Sequence, residues 1–239
     1  MIDIHSHVLP SIDDGSSSAE ESLNMIQEAY ENGFTDIITT SHYIYNGNYN
    51  VNYLQRKEII KAMQRLMNVK HIEVNLYNGA EAYITPELSL LFEKKVISTL
   101  ANSRYVLFEL PLNSKVIYVE KVITDLVNMG FIPIIAHPER YEIVQNKIDT
   151  ALEWTRLGAY LQCNYASING QYGAKAKKTL IKLLKEDVVT FLGTDCHSEQ
   201  SIYCDMDIYL ELLKKEIGIT KLNELTTINP KKIINDELI

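Results

Sequence analysis

Five of the six histidines in this chain directly follow short apolar runs, and imidazoles delivered in that way can hold metal ions. His5 and His7 come after Met1 to Ile4, His42 after Asp36 to Ser41, and His137 after Phe131 to Ala136. Asp195 and His197 follow the run from Val188 to Thr194. Two carboxylates keep the same company. Glu109 ends Tyr105 to Phe108, and Glu81 follows Val74 to Tyr77 and a short Asn-Gly-Ala turn. His5-x-His7 has strand period two, so both rings leave one face and can grip one ion. Asp195-x-His197 repeats the pattern. A satisfied polar residue or a loop cap explains any one of these side chains, but not the whole set. His71 sits between a helix and a strand with no partner in view and reads as an ordinary surface histidine. Mixed nitrogen and oxygen donors suit Mn²⁺, Fe²⁺ or Zn²⁺ better than an ion selected by thiolates. Arg140 lies three residues after His137, where a guanidinium can clamp two phosphoryl oxygens. Pairing with a neighbour such as Glu142 is its plainer alternative.

Something must bring these side chains together. Runs this short and rich in Ile, Val, Phe and Tyr read as buried parallel strands. Helix-like segments alternate with them. Helices are expected over residues 19–32, 51–68, 86–95, 115–129, 148–157, 171–186, 206–217 and 230–236. Ser17 or Ser18 caps the first, and Gly33 stops it. Strands are expected near 36–40, 72–77, 131–136, 159–163 and 188–194, besides those at the start and before Glu109. About seven βα units follow one another with no linker or repeat, which predicts a single domain over residues 1–239. Continuous alternation argues for a parallel sheet, closed as a TIM-like barrel with the donors at its strand C-termini. An open doubly wound sheet fits the alternation but not the convergence of donors from first, middle and last strands.

The bulk properties exclude several classes. Hydrophobic residues make up 46% and charged residues 23%, ordinary values for a globular protein. The net charge of -8, with no basic stripe, argues against a nucleic-acid or anionic-membrane surface. No apolar run approaches the roughly 20 residues of a membrane-spanning helix. Three cysteines in no framework spacing, and a start directly on a strand, point to a cytoplasmic protein.

The segments MIDIHSHVLPSIDDG, SH at 41–42, GAE at 79–81, FELP at 108–111, AHPERY at 136–141 and TDCHS at 194–198 resemble the polymerase-and-histidinol-phosphatase (PHP) superfamily. Within it the chain looks most like the bacterial manganese-dependent protein-tyrosine phosphatases of capsule and exopolysaccharide operons. The resemblance spans nearly the whole chain. It implies a distorted (β/α)7 barrel holding three Mn²⁺ ions. It assigns His5, His7, Glu81 and Asp195 to the first ion. Glu81 as a bridge, Glu109 and His137 would hold the second, and Asp14, His42 and His197 the third. Asp13 is the chemical rival of Asp14, which the DDG pattern favours. Arg140 and His42 are the expected catalytic residues. The implied reaction is hydrolysis of a phosphotyrosine protein, with the tyrosine-rich tail of a bacterial tyrosine kinase as partner. The family often has a second arginine after its Asp-x-His motif; here Ser198 to Cys204 contains none.

Other chemistries are weaker. A cysteine nucleophile needs an arginine six residues on, and Cys163, Cys196 and Cys204 meet Asn169, Ile202 and Leu210 there. A two-metal amidohydrolase usually needs a mid-barrel lysine, which the strand ends do not offer. A small-molecule phosphatase acting on histidinol phosphate, or a metal-holding regulatory module, remains as an alternative. Tyr43, Tyr45, Tyr49 and Tyr53 form either a rim for a phosphotyrosine ring or a solvated, adaptable loop.

Overall fold

The apolar runs become nine strands, all paired in parallel, in the computed structural model, which describes residues 1–239. They are β1 (Ile2–Ser6), β2 (Asp36–Thr39), β3 (His42–Tyr43), β4 (Asn75–Asn78), β5 (Glu81–Tyr83), β6 (Tyr105–Glu109), β7 (Ile132–Ala136), β8 (Tyr160–Asn164) and β9 (Val189–Gly193). One sheet has the order β1-β2-β4 and the other β3-β5-β6-β7-β8-β9. The sequence reading gave one continuous sheet of about seven strands. The difference has a local cause. β3 and β5 were not expected: they follow β2 and β4 after Thr40–Ser41 and Gly79–Ala80. Backbone bonds carry the pairing past these breaks, from Thr40 N to Ser6 O and from Glu81 N to Thr40 O. The far edge returns toward β1: Asp195 N donates to His5 O at 2.8 Å and His7 N to Cys196 O at 2.9 Å.

Nine α-helices connect the strands: α1 (Ala19–Glu31), α2 (Tyr53–Val69), α3 (Leu88–Glu93), α4 (Val119–Asn128), α5 (Glu142–Asn146), α6 (Asp149–Arg156), α7 (Ala174–Lys185), α8 (Met206–Asn223) and α9 (Asn229–Asn235). Ser18 caps α1, accepting from Glu21 N. Some boundaries differ by a few residues from the periodicity reading. Gly173, at φ 93, holds off α7 until Ala174. Gly218, at φ 74, interrupts α8 after Ile217, where the periodicity reading ended the helix. Residues 115–118 stay outside α4, and α5 was not expected at all.

A core of 53 buried residues packs helices onto the outer faces of the strands. A second cluster of 10, with Ile4, Ile38, Leu107, Ile134 and Phe191, packs the other face. Along β6 that face reads Tyr105, Leu107, Glu109, apolar at the strand start and ionisable at its end. β8 repeats the change with Tyr160, Gln162 and Asn164. The donors therefore stand on an apolar floor.

One buried cation braces both strand breaks. Arg56 of α2 is 1% exposed. It donates from Nη1 to Ser41 O, from Nη2 to His42 O and from Nε to Val51 O, with a longer Nη1 contact to Gly79 O at 3.4 Å. Burial lowers its pKa to about 10. Neutral carbonyl dipoles, not a paired carboxylate, satisfy this guanidinium. Replacing Arg56 with Met would strand buried carbonyls, at a cost of about 1–3 kcal/mol for each left unsatisfied. The expected outcome is a clearly lower urea midpoint for Arg56→Met, with Arg56→Lys intermediate because it lacks the planar fork. An unchanged midpoint for Arg56→Met would remove the bracing role.

Candidate metal centre

The strand register sets the first contacts. His42 and Glu81 are direct partners in the β3–β5 pairing, and Glu109 lies opposite Tyr83 in the next pair. His42 Nδ1 accordingly lies 3.1 Å from Glu81 Oε2 and 3.0 Å from Glu109 Oε1. β1 carries a register shift between Asp3 and Ser6, and His5 and His7 leave its end fully buried. His137 and Asp195 terminate their strands with positive φ, 32° and 54°. Left-handed backbone at non-glycine residues is uncommon and concentrates at functional sites. Here it turns both side chains toward the same point. Gly15 explains how the Asp13–Asp14 turn fits. A Cβ there would stand 2.3 Å from the His7 carbonyl oxygen.

All nine expected donors come together. Three sets have donor atoms within 4.8 Å of one another: His7, Asp14, His42 and His197; His5, Glu81, His137 and Asp195; and His42, Glu81 and Glu109. These are the nine residues of the sequence reading, with a different partition. His7 falls with the Asp14 set, and His137 with His5 and Asp195. Glu81 is central: Oε1 faces His137 Nε2 at 2.9 Å, and Oε2 faces His5 and His7 at 3.2 and 3.4 Å. Asp14 and His197 form the open rim, with side chains 52% and 32% exposed. Of the two aspartates before Gly15, Asp14 reaches the rim imidazoles, 3.4 Å from His42 Nε2 and 3.6 Å from His197 Nε2. Asp13 lies behind them. It accepts from His7 Nδ1 and from His42 N, both at 2.8 Å.

These outer bonds decide which ring nitrogens face inward. Asn164 donates to Asp195 Oδ2, Gln162 donates to Asn164 Oδ1, and Gln162 Oε1 faces His5 Nδ1 at 2.7 Å. That relay places the His5 proton on Nδ1. Asp13 does the same for His7, and the Asp195 carbonyl for His197. The Nε2 lone pairs of three imidazoles then point into a group of carboxylates. His5 and His7 Nε2 stand only 3.3 Å apart. Glu81 Oε2 and His137 Nδ1 are buried without a hydrogen bond. Lone pairs and anions facing one another suit bound cations, so the residues fit a metal centre.

Proton affinities report the same field. Burial disfavours a charged His42, yet Glu81 and Glu109 raise its pKa to about 10. Burial likewise opposes charge on His7, but Asp13, Asp195 and Glu81 lift it well above the usual range. Burial would raise Glu81 and Asp195, and the imidazoles facing them, His5 first, hold both well below the carboxylate range. Asp13 falls to about 2, since its bonds to His7 and two backbone N–H groups outweigh burial.

Arg140 lies at the edge of this cluster and not on Glu142. Its Nη1 donates to Asp195 Oδ2 at 2.6 Å, and its guanidinium stacks 4.4 Å over the Tyr172 ring. Tyr49 stacks on His42 at 6.0 Å, while Tyr43 is buried and Tyr45 is exposed. His71 is exposed, away from the site, at a turn. The sequence reading missed Gln162 and Asn164, whose signal was two polar residues at strand period inside an apolar run. It also missed Asp3, which accepts from His5 N, Thr194 and Tyr203 beneath the site.

The family profile for capsular polysaccharide synthesis, CpsB/CapC, matches residues 1–235. The chain belongs to this family. It is 33% identical to the tyrosine-protein phosphatase CpsB of Streptococcus pneumoniae over 251 aligned residues, covering 100% of both chains. It is 28% identical to the tyrosine-protein phosphatase YwqE of Bacillus subtilis, covering 100% of this chain and 93% of that one. Crystal structures of YwqE and CpsB, described as unique metal-dependent tyrosine phosphatases, include a match at TM-score 0.94 and 27% identity over 100% of this chain and 96% of the other. A histidinol phosphate phosphatase from Lactococcus lactis, at TM-score 0.55 and 13% identity, covering 95% and 96%, shares the fold.

The proton inventory gives a test. Loading the centre must expel protons from imidazoles such as His42, so apparent metal affinity should rise with pH from the acid side through neutrality. Calorimetric titration with Mn²⁺ in buffers of different protonation enthalpy should show net proton release at neutral pH. Asp13→Ala should weaken loading by roughly 10–100-fold, the usual cost of losing a histidine's outer partner. Proton-neutral binding, or unaltered affinity in Asp13→Ala, would contradict this reading.

Proposed function

We propose that this chain is a metal-dependent tyrosine-protein phosphatase acting in capsule or exopolysaccharide synthesis. One observation carries the reading: nine nitrogen and oxygen donors converge in three overlapping sets, and a half-buried arginine stands at their edge. The full-length likeness to tyrosine phosphatases narrows phosphoester chemistry to phosphotyrosine. We take the two sheets as one distorted (β/α)7 barrel, because the nine strands follow seven runs and the last edge bonds back to the first. The nine residues would hold three Mn²⁺ ions, with Glu81 shared between sites through its two oxygens. Bound divalent ions lower the pKa of water and offset charge gathering on phosphoryl oxygens.

The chain's own residues supply the rest. Asp195 divides its work: Oδ1 faces His5 and His7, while Oδ2 takes Arg140 and Asn164. Arg140 is thereby held with its fork at the edge of the cluster, where it would bind two phosphoryl oxygens. His42, whose two ring nitrogens face two of the donor sets, would serve as a metal donor. A tyrosine phenolate, with a pKa near ~10, asks little of a general acid. The exposed rim at Asp14 and His197 suits a phosphotyrosine presented on a protein chain. The proposed partner is the tyrosine-rich tail of a bacterial tyrosine kinase, met in the cytoplasm. No helix is long and apolar enough to cross a membrane. The two buried thiols are poor nucleophiles, since burial pushes Cys163 well up and Cys196 to about 11.

Phosphatase assays on a phosphotyrosine peptide and on histidinol phosphate, with Mn²⁺ and with chelator, test this directly. The peptide should be turned over and histidinol phosphate should not; chelation should abolish activity and Mn²⁺ restore it. Full activity in metal-stripped protein, or preference for histidinol phosphate, would sink the proposal. Arg140→Ala should lower kcat/KM by roughly 10²-fold, and Arg140→Lys should recover part of it. The triple variant Cys163→Ser, Cys196→Ala, Cys204→Ser should stay within about tenfold of the parent, a window of roughly 1.4 kcal/mol. Its complete loss of activity while folded and metal-loaded would instead indicate a thiol nucleophile.

A further inference from the structure

The Arg140 guanidinium is held by few contacts for a group asked to clamp a phosphate. Within the protein it makes one hydrogen bond, from Nη1 to Asp195 Oδ2 at 2.6 Å. One bond fixes one nitrogen and leaves the plane of the fork free to swing about it. A bidentate clamp needs that plane fixed, because two donors must meet two oxygens at once. No arginine stands between Ser198 and Cys204, so that segment offers no substitute.

Tyr172 supplies a second restraint. Its ring centroid lies 4.4 Å from Arg140 Cζ, well inside cation–π range. The ring is half-buried and packs against the main core, so it is backed by the fold. Burial, with Asp195 nearby, pushes the phenol up, which keeps the ring neutral. Its backbone is fixed as well. Gly170 and Gly173, at φ 94 and 93, bracket the turn, and Gly173 N donates to Gly170 O at 2.8 Å. Gln171 N donates to Asn169 Oδ1 at 2.9 Å, and the Tyr209 hydroxyl donates to Gln171 Oε1 at 3.0 Å. The connection from β8 to α7 that carries Tyr172 is also tied to the turn that carries Arg140. Glu139, the residue before Arg140, is fully buried, and its Oε1 accepts from Asn164 N at 2.9 Å and from Ser167 Oγ at 2.7 Å. Ring and guanidinium therefore belong to one frame, and the fold sets their separation. Tyr172 is in none of the donor sets.

We infer that Tyr172 is a positioning residue for phosphoester hydrolysis: its ring is the platform that holds the Arg140 fork in the plane of the clamp. The inference rests on the phosphatase reading and adds a residue that acts through Arg140 and not through the metals.

The test is a double-mutant cycle on the metal-loaded enzyme with a phosphotyrosine peptide. Tyr172→Leu should lower kcat/KM roughly tenfold, within what a partly desolvated cation–π contact can carry. Tyr172→Phe should stay within about twofold, since the ring face and not the hydroxyl does the holding. In the Arg140→Ala background Tyr172→Leu should cost less than about twofold, because nothing is left to position. A residue needed only for packing would exact its full cost in both backgrounds. Tyr172→Met, which keeps apolar bulk without a flat face, should behave as Tyr172→Leu and gives a second reading if leucine unsettles the loop. Calorimetry adds a readout apart from turnover. Tyr172→Leu should bind inorganic phosphate more weakly than the parent and bind Mn²⁺ equally well. A full penalty in the Arg140→Ala background, unchanged kinetics in both Tyr172→Leu and Tyr172→Met, or weakened Mn²⁺ binding would overturn the inference while leaving phosphatase activity standing. So would a loss in Tyr172→Phe equal to that in Tyr172→Leu, which would assign the role to the hydroxyl. Inactivity of the parent toward the peptide and para-nitrophenyl phosphate would remove the phosphatase reading, and this inference with it.

Discussion

The controlling constraint is electrostatic. Glu81, a fully buried carboxylate, is surrounded by four imidazoles, with Asp195 and Glu109 close by. Such a group is costly to assemble, because like charges and lone pairs repel in a medium that screens them weakly. Each donor must be held against that repulsion by bonds from behind. Much of the polar structure around the strand ends serves this purpose. Asp13 holds His7 and the His42 backbone, and the Gln162–Asn164 relay joins His5 to Asp195. Glu139 adds a further tie, accepting from Asn164 N and Ser167 Oγ next to the turn that carries Arg140.

The pattern also explains where the backbone departs from ordinary conformation. His137 and Asp195 both leave their strands in the left-handed region. A regular continuation would send successive side chains to alternate faces. The turn at each strand end instead directs them to the common centre. Gly193 makes the complementary accommodation on β9. A Cβ there would lie 2.8 Å from both His5 Cβ and Gln162 Nε2.

Much of this was legible in the sequence, and the reasons are physical. Buried parallel strands are short continuous apolar runs, so their ends are easy to find, and polar residues just beyond them stand out. That is why eight of the nine candidate donors could be named from strand ends, while Asp14, in the loop after β1, was named only through the family resemblance. What the sequence concealed was of three kinds. β3 and β5 lie beyond the expected runs at 36–40 and 72–77, and strands of two and three residues carry no readable period, so nine strands read as seven. Outer partners such as Asp3, Gln162 and Asn164 sit inside the apolar runs and look like lapses in them. Nothing local in the sequence marks Arg56, because burial of a cation is decided by distant carbonyls. The partition of donors among ions depends on fractions of an ångström in side-chain placement, which no spacing rule encodes.

Arg56 grips the chain on both sides of the tyrosine-rich loop, at Ser41 and His42 on one strand end and at Val51 before α2. The intervening segment is thus a closed excursion with a fastened neck. Changes in its length or sequence are confined to the excursion and do not reach His42 through the backbone. The excursion can therefore vary while His42 keeps its place opposite Glu81 in the sheet.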